Sequence, residues 1–178
     1  LDGKQILLRC PWPISGEKPE EVSLTQEEAC DAAVTLYQEE NTALHLLPKA
    51  LTLGVGCRKG MSQAALENAY AALLAEQDFA PEAFVQAASI DLKANEPGLL
   101  AFCTAHSWEL KTYSAEELSK LPGDFIPSPF VAQITGVDNV CERAAVRASG
   151  GHLIQKKWKG AGVTFAIALA PVHFDWRW

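Results

Sequence analysis

From Leu51 onward, short apolar runs alternate with segments whose apolar residues recur at helical spacing. The run from Leu51 to Val55 has the length of a strand and leads into a turn carrying Gly54, Gly56 and Gly60, after which Ser62 is placed to start a helix. Leu66, Ala69, Tyr70, Leu73 and Leu74 then fall on one helical face. Phe84 to Ile90 reads as a second strand that runs into a polar turn, Asp91 to Gly98. In that turn Asn95 is positioned to cap the following helix, with Pro97 in its first turn, where a missing N–H costs little. Leu99, Leu100, Phe102 and Cys103 supply the helix's apolar side. Trp108 to Tyr113 reads as a third strand, and Ser114-Ala115-Glu116-Glu117 is a capping box opening a short helix that Pro122-Gly123 ends. Further helices start at Ser128-Pro129, closing at Gly136, and at Asn139, running to the Gly150-Gly151 break. His152 to Gln155 and Val163 to Leu169 form the arms of a hairpin around Lys156 to Gly162. The alternation predicts an α/β fold of three layers, with helices on both faces of a mostly parallel or mixed sheet of about five strands.

Residues 1 to 50 have a different texture. Gln5 to Leu8 suits a short strand that Pro11 and Pro13 stop, and Ser15 to Glu21 is a charged connection. Thr25-Gln26-Glu27-Glu28 matches a capping box, and Ala29, Ala32, Ala33 and Leu36 behind it predict a helix. The expected organisation is therefore a segment 1–50, the tail of a preceding domain plus a linker, and a main domain over 51–178. A first residue other than Met fits the expectation that the chain is part of something longer.

Composition narrows the function classes. An apolar content of 48% in 178 residues supports one sizeable core. The net charge of −7 argues against nucleic acid as a partner but leaves room for a local basic site. Five scattered cysteines, an odd number with no C-x-x-C pair, read as reduced thiols in a cytoplasmic protein rather than a disulfide frame or zinc site. The longest apolar run, near Val163 to Ala170, is too short to span a bilayer, so no membrane is expected.

The strand, Gly-rich turn and helix around Gly54 to Ser62 form a pattern that suits an anion, since glycines allow close backbone approach and helix-start N–H groups face negative charge. Arg58 and Lys59 add two cations there. The turn lacks the Lys-Ser/Thr ending of a P-loop and the G-x-G-x-x-G spacing, which disfavours a nucleotide. A plain strand-to-helix turn with exposed cations is the alternative.

Four blocks in order carry a wider pattern: Leu53 to Gly60; Ile90-Asp91-Leu92-Lys93 with Glu96 to Leu100; Gly136-Val137 with Val140 to Ala145; and Lys156 with Gly162 to Ala168. Together they resemble the C-terminal domain of the CbiG family and its stand-alone relative CobE, of cobalamin biosynthesis. His45 to Lys49 resembles the join to the family's middle domain. The resemblance implies cobalt-precorrin-5A hydrolase, which opens a lactone on the contracted macrocycle and releases acetaldehyde, or else a non-catalytic corrinoid-binding or carrier module of the CobE type. The partners implied are a cobalt-corrinoid intermediate and other enzymes of the pathway. No resident metal or cofactor is expected, the cobalt arriving inside the substrate.

A macrocycle edged with carboxylates calls for cations and free N–H donors around a partly apolar concavity. The expected binding residues are Gly54, Gly56, Cys57, Arg58, Gly60, Lys93, Lys156 and Thr164, with Trp158 available to cover a ring face. Lactone hydrolysis needs a base for water and a partner for the oxyanion. Asp91, Glu96 and Glu142 are the candidate bases, with Arg58, Lys93 and the N–H groups near Gly56 facing the oxyanion. Each has a structural alternative: Glu142 closing a capping box with Asn139, Glu96 favouring a helix N-terminus, Asp91 and Lys93 forming a surface pair, and Thr164 serving its strand. Cys57 is either a nucleophile activated by a helix start and Arg58 or a small buried thiol.

Overall fold

The computed structural model describes residues 3–39 and 43–177. In chain order the strands and helices are β1 (Ile6–Arg9), β2 (Ile14–Ser15), β3 (Val22–Thr25), β4 (Ala32–Val34), β5 (Leu44–Leu46), β6 (Leu51–Cys57), α1 (Gln63–Gln77), β7 (Phe84–Ile90), α2 (Pro97–Ala105), β8 (Glu109–Tyr113), α3 (Ala115–Ser119), α4 (Pro129–Thr135), α5 (Cys141–Ser149), β9 (His152–Gly160), β10 (Val163–Leu169) and β11 (Phe174–Asp175). They form two compact units, one of Leu1–Lys49, Asp78–Ala83 and Val172–Trp178, the other of Ala50–Gln77 and Phe84–Pro171.

The larger unit is built on one mixed sheet in the order β8-β7-β6-β10-β9. β6, β7 and β8 are parallel, β10 runs antiparallel to β6, and β9 antiparallel to β10. Both faces of the central strand are covered, which is why Leu51 to Val55 does not alternate between core and solvent: all five residues, Thr52 included, are buried. On one face α1 and α2 pack together. Ser62 Oγ accepts from Ala65 N–H at 3.2 Å at the start of α1. The buried stripe Leu66, Ala69, Tyr70 and Leu73 faces the sheet, and the Tyr70 ring meets Phe84, Phe102 and Trp108 edge-on at 5.6, 5.8 and 5.5 Å. On the other face α5 lies directly over β6. A Cβ on Gly54 would fall 1.9 Å from the Cys141 carbonyl oxygen and 2.9 Å from Ala145 Cβ. Around it Ala88, Ile90, Leu118, Val137, Val140 and Ala144 form a second apolar cluster. The three layers and five strands of this unit match the α/β expectation.

Some local expectations are corrected. Thr25 opens no helix: its Oγ1 accepts from Glu27 N–H at 3.1 Å in a tight turn at the end of β3, a local bond that competes with helix formation. Ala32, Ala33 and Val34 are instead β4, buried within a parallel four-stranded sheet, β3-β1-β4-β5, of the smaller unit. Asn95 does not cap α2, whose N-cap is Glu96. The hairpin arms are longer than expected, because Lys156 to Gly160 belongs to β9 and the turn is only Ala161-Gly162. Both turn residues have positive φ, +49° and +80°, as tight two-residue hairpin turns require.

Candidate functional site

β6 and β7 end on the same side of the sheet, and there the chain turns back twice. The first turn, Arg58 to Ser62, passes through Gly60 at φ +73°, a left-handed conformation that disfavours other residues. The second is the helical turn Asp91–Lys93 leading to Glu96. Glu96 ties them together, accepting from Gly60 N–H at 2.9 Å through Oε2 and from Lys93 Nζ at 3.0 Å through Oε1. The Gly60 N–H, and then Lys93, hold the Glu96 carboxyl below the usual carboxylate range.

Between these turns, the hairpin and α4 lies a cleft of about 950 Å³. Its position beyond the carboxyl ends of parallel strands is the one ligands favour in open α/β sheets. The lining carries five cations, Arg58, Lys59, Lys93, Lys157 and Lys159, against a single carboxylate, Glu96. Ile90, Leu92, Val131, Ile134, Val140 and Val163 make the rest of the wall largely apolar. A net positive, amphiphilic cavity in a chain of charge −7 is matched to a large anionic ligand with apolar surface.

Of the residues expected from sequence, Gly56, Cys57, Arg58, Lys93, Glu96 and Thr164 come together on this wall. Arg58 is exposed, with its guanidinium against the hairpin turn: a Cβ on Gly162 would lie 2.8 Å from Nε and Nη2. Gly56 sits within β6 in register with Thr164, and a Cβ there would fall 2.4 Å from Thr164 Oγ1. Thr164 Oγ1 donates to the Gly56 carbonyl at 3.2 Å. Both glycines of the strand thus make room for protein, α5 at Gly54 and Thr164 at Gly56, rather than forming a free loop around an anion. Cys57 is half-buried on the cleft wall, where partial burial pushes its thiol up and Lys93 acts in the opposite sense, an environment that does not activate it as a nucleophile.

The remaining residues lie elsewhere. Gly54 is under α5, Gly60 is in the turn outside the cleft wall, and Asp91 is exposed and does not line the cleft. Lys156 is exposed and pairs with Asp124 at 2.7 Å. Glu142 is completely buried. Its Oε2 accepts from Ile126 N–H and Asn139 Nδ2, each at 2.8 Å, and its Oε1 from Lys157 N–H at 2.6 Å. The capping-box alternative is half realised: Asn139 Oδ1 accepts from Glu142 N–H at 2.9 Å, but the Glu142 carboxylate turns inward to these three donors. It braces the start of α5 and the segment before α4 against β9, and Lys157 Nζ closes the same knot on the Ile126 carbonyl at 2.7 Å. Trp158 points away from the cleft, stacking on Phe165 at 6.0 Å and donating to Glu76 Oε2 at 2.6 Å.

Sequence reasoning met Lys157 and Lys159 only as part of a basic run with Lys156, and passed over Leu92 and the apolar side of α4. The signal for the two lysines was present, since residues two apart in a strand share a face, but it needed β9 to extend to Gly160. Among the described residues no three His, Cys, Asp or Glu side chains are grouped to hold a metal ion, and no helix is long and apolar enough to cross a membrane.

Comparison with known proteins decides the lineage. Residues 51–168 match the family model described as cobalamin synthesis G C-terminus. The chain belongs to this family. Every residue lining the cleft falls inside the matched segment of the cobalamin synthesis G C-terminus domain. The chain is 36% identical over 133 residues to a cobalt-precorrin-5A hydrolase of Priestia megaterium, covering 74% of this chain and 35% of that protein. It is 32% identical over 125 residues to the Salmonella typhimurium protein of the same name, covering 70% and 36%. The chain thus spans about a third of the length of the curated relatives it matches. Among solved structures, CobE, a protein from the cobalamin biosynthetic pathway, aligns with a TM-score of 0.62 at 28% identity, over 68% of this chain and 91% of CobE.

Proposed function

We propose that this chain binds a cobalt-corrinoid intermediate of cobalamin biosynthesis and serves the hydrolysis of cobalt-precorrin-5A, in which the ring lactone opens and a two-carbon fragment leaves as acetaldehyde. The observation that carries the reading is the cleft itself, five cations and one carboxylate set into an apolar wall inside the family-matched segment. A corrinoid intermediate presents that complement, a broad macrocycle with carboxylate arms. Arg58, Lys59, Lys93 and Lys159 pair with the arms, while Lys157, held by Ile126, guards the rim. Of the three carboxylates weighed as base, Glu96 alone borders the cleft, so we assign it the activation of water, with Lys93 and Arg58 facing the developing oxyanion.

A second reading, a corrinoid-holding module without chemistry, has its own support. Glu142 and Asp91 stand outside the cleft, Glu96 is already engaged by Gly60 and Lys93, and the chain covers most of CobE. Anaerobic incubation with cobalt-precorrin-5A, assayed for acetaldehyde and for the mass of the corrinoid, separates the two. Acetaldehyde with the matching mass loss supports the hydrolase; bound but unchanged corrinoid supports the holding module; no binding overturns both. We further read residues 1–50 as the tail of a preceding domain like the family's middle domain, the compartment as the cytoplasm in keeping with five free cysteines, and neighbouring pathway enzymes as partners.

A further inference from the structure

Two side chains at the cleft stand out once its charges are accounted for. Leu92 is 61% exposed and Ile134 62%, the former in the turn that also presents Lys93, the latter on α4. A scattered exposed aliphatic residue is ordinary on a protein surface, but two this large lining one cavity with five cations are not scattered. α4 is built to hold Ile134 there. Val131, one turn earlier, packs on the apolar cluster of Ile90 and Val140, and Gly136 ends the helix in the left-handed conformation. Ser128 N–H donates to the Asp138 carbonyl at 2.7 Å, pinning the two ends of the segment together.

We propose that Leu92 and Ile134 select the ligand's shape, contacting the flat face of a macrocycle while the lysines and Arg58 hold its carboxylate arms. The inference rests on the corrinoid reading above and adds to it the two residues by which the cleft would tell a macrocycle from a linear polyanion. A linear polyanion such as a nucleoside triphosphate would satisfy the cations and leave both aliphatic side chains in water. A macrocycle with peripheral carboxylates covers both kinds of group at once. Leu92 and Lys93, being adjacent in sequence, put an apolar and a cationic contact within one residue of each other, which fits a ring whose charged arms spring from an apolar edge.

The test is binding of cobyrinic acid, a cobalt corrinoid with free carboxylates, and of uroporphyrin I, a flat octacarboxylate, to the whole chain and to Leu92→Ala, Ile134→Ala and the double variant, across a salt series. Each truncation is expected to weaken both probes by about tenfold, and the double by more than either single variant. The slope of affinity against salt should stay as in the wild type, because no ion pair is removed, whereas Arg58→Ala should flatten it. Wild-type binding with the double variant within twofold of it overturns this inference and leaves the corrinoid reading standing. No wild-type binding of cobyrinic acid overturns both. A wild-type dimer that the double variant dissolves would make the patch an interface between copies, and overturns the inference as well.

Discussion

Replacing Glu142 with Gln preserves the size of the side chain and changes only what it offers its neighbours. The carboxylate accepts from Ile126 N–H, Asn139 Nδ2 and Lys157 N–H in a fully buried site. A carboxamide has one acceptor oxygen and one NH₂ group. Its better orientation places the oxygen where Oε2 stands and keeps the Ile126 and Asn139 bonds, leaving the Lys157 N–H facing an NH₂. An unsatisfied buried donor costs about 1–3 kcal/mol. The two retained bonds also lose the strengthening that an ionised acceptor gives. Together these amount to about 2–4 kcal/mol, a fall of about 5–15 °C in Tm for a chain of this size. Urea unfolding followed by circular dichroism, with amide exchange at Lys157 as the local probe, measures both. Glu142→Gln should unfold at lower urea, exchange faster at Lys157, and bind corrinoid more weakly through the loosened β9. A variant as stable as the wild type, binding normally but without turnover, would refute the bracing role and return Glu142 to chemistry.

Gly54→Ala should destabilise by about 3 kcal/mol, since a Cβ 1.9 Å from the Cys141 carbonyl forces α5 off the sheet, while Gly60→Ala, open around its Cβ but at positive φ, costs about 1 kcal/mol; thermal melts of the pair give the contrast. Glu96 is held below its ordinary value of 4.5, so its stabilisation is present above that value and lost as pH falls through the lower folded one. Glu96→Gln should therefore be less stable than the wild type at neutral pH, with the difference closing in acid, as urea midpoints across pH 2–7 would register. Cys57 should alkylate with iodoacetamide more slowly than a free thiol, and more slowly still in Lys93→Ala, because burial raises its pKa and Lys93 opposes that; equal rates for Cys57 and a model thiol at pH 8 would contradict the assignment.

The main unit was legible because its signals are local and consistent. β7 falls on Phe84–Ile90 as expected, Ser114 and Glu117 form the reciprocal capping box, and Pro129 and Gly136 bound α4. The smaller unit misled because Thr25 carries the side chain of a helix cap but spends it on Glu27 N–H in a turn, and only pairing with β1 reveals Ala32–Val34 as a strand. The candidate site was half legible. Cys57, Arg58, Lys93 and Glu96 meet on one wall because the Gly-rich turn and the Asp91–Glu96 turn both sit at strand ends, whereas Gly60 and Asp91 of the same turns do not line it. Lys156 was singled out because it opens the fourth block of the family resemblance; the β9 register that sets Lys157 and Lys159 on the cleft wall shifts between Gln155 and Trp158, which no local pattern announces. Glu142 reads as a candidate base for the same reason that it reads as a brace. A carboxylate at the start of a helix reads alike whether it faces a ligand or three donors brought from Asn139, Ile126 and β9, and those contacts exist only in the fold.

The central claim, that the cleft at the ends of β6 and β7 is a corrinoid site, is tested most directly by titrating the ¹⁵N-labelled chain with diamagnetic cobalt(III) cobyrinic acid and following the backbone amides. The account predicts saturable shifts concentrated at Gly56 to Lys59, Leu92 to Glu96, Ile134, Lys157 and Lys159 to Thr164, all residues of the cleft wall or its turns. Shifts gathered instead on β1, β3 and β4, or none at millimolar ligand, would contradict it.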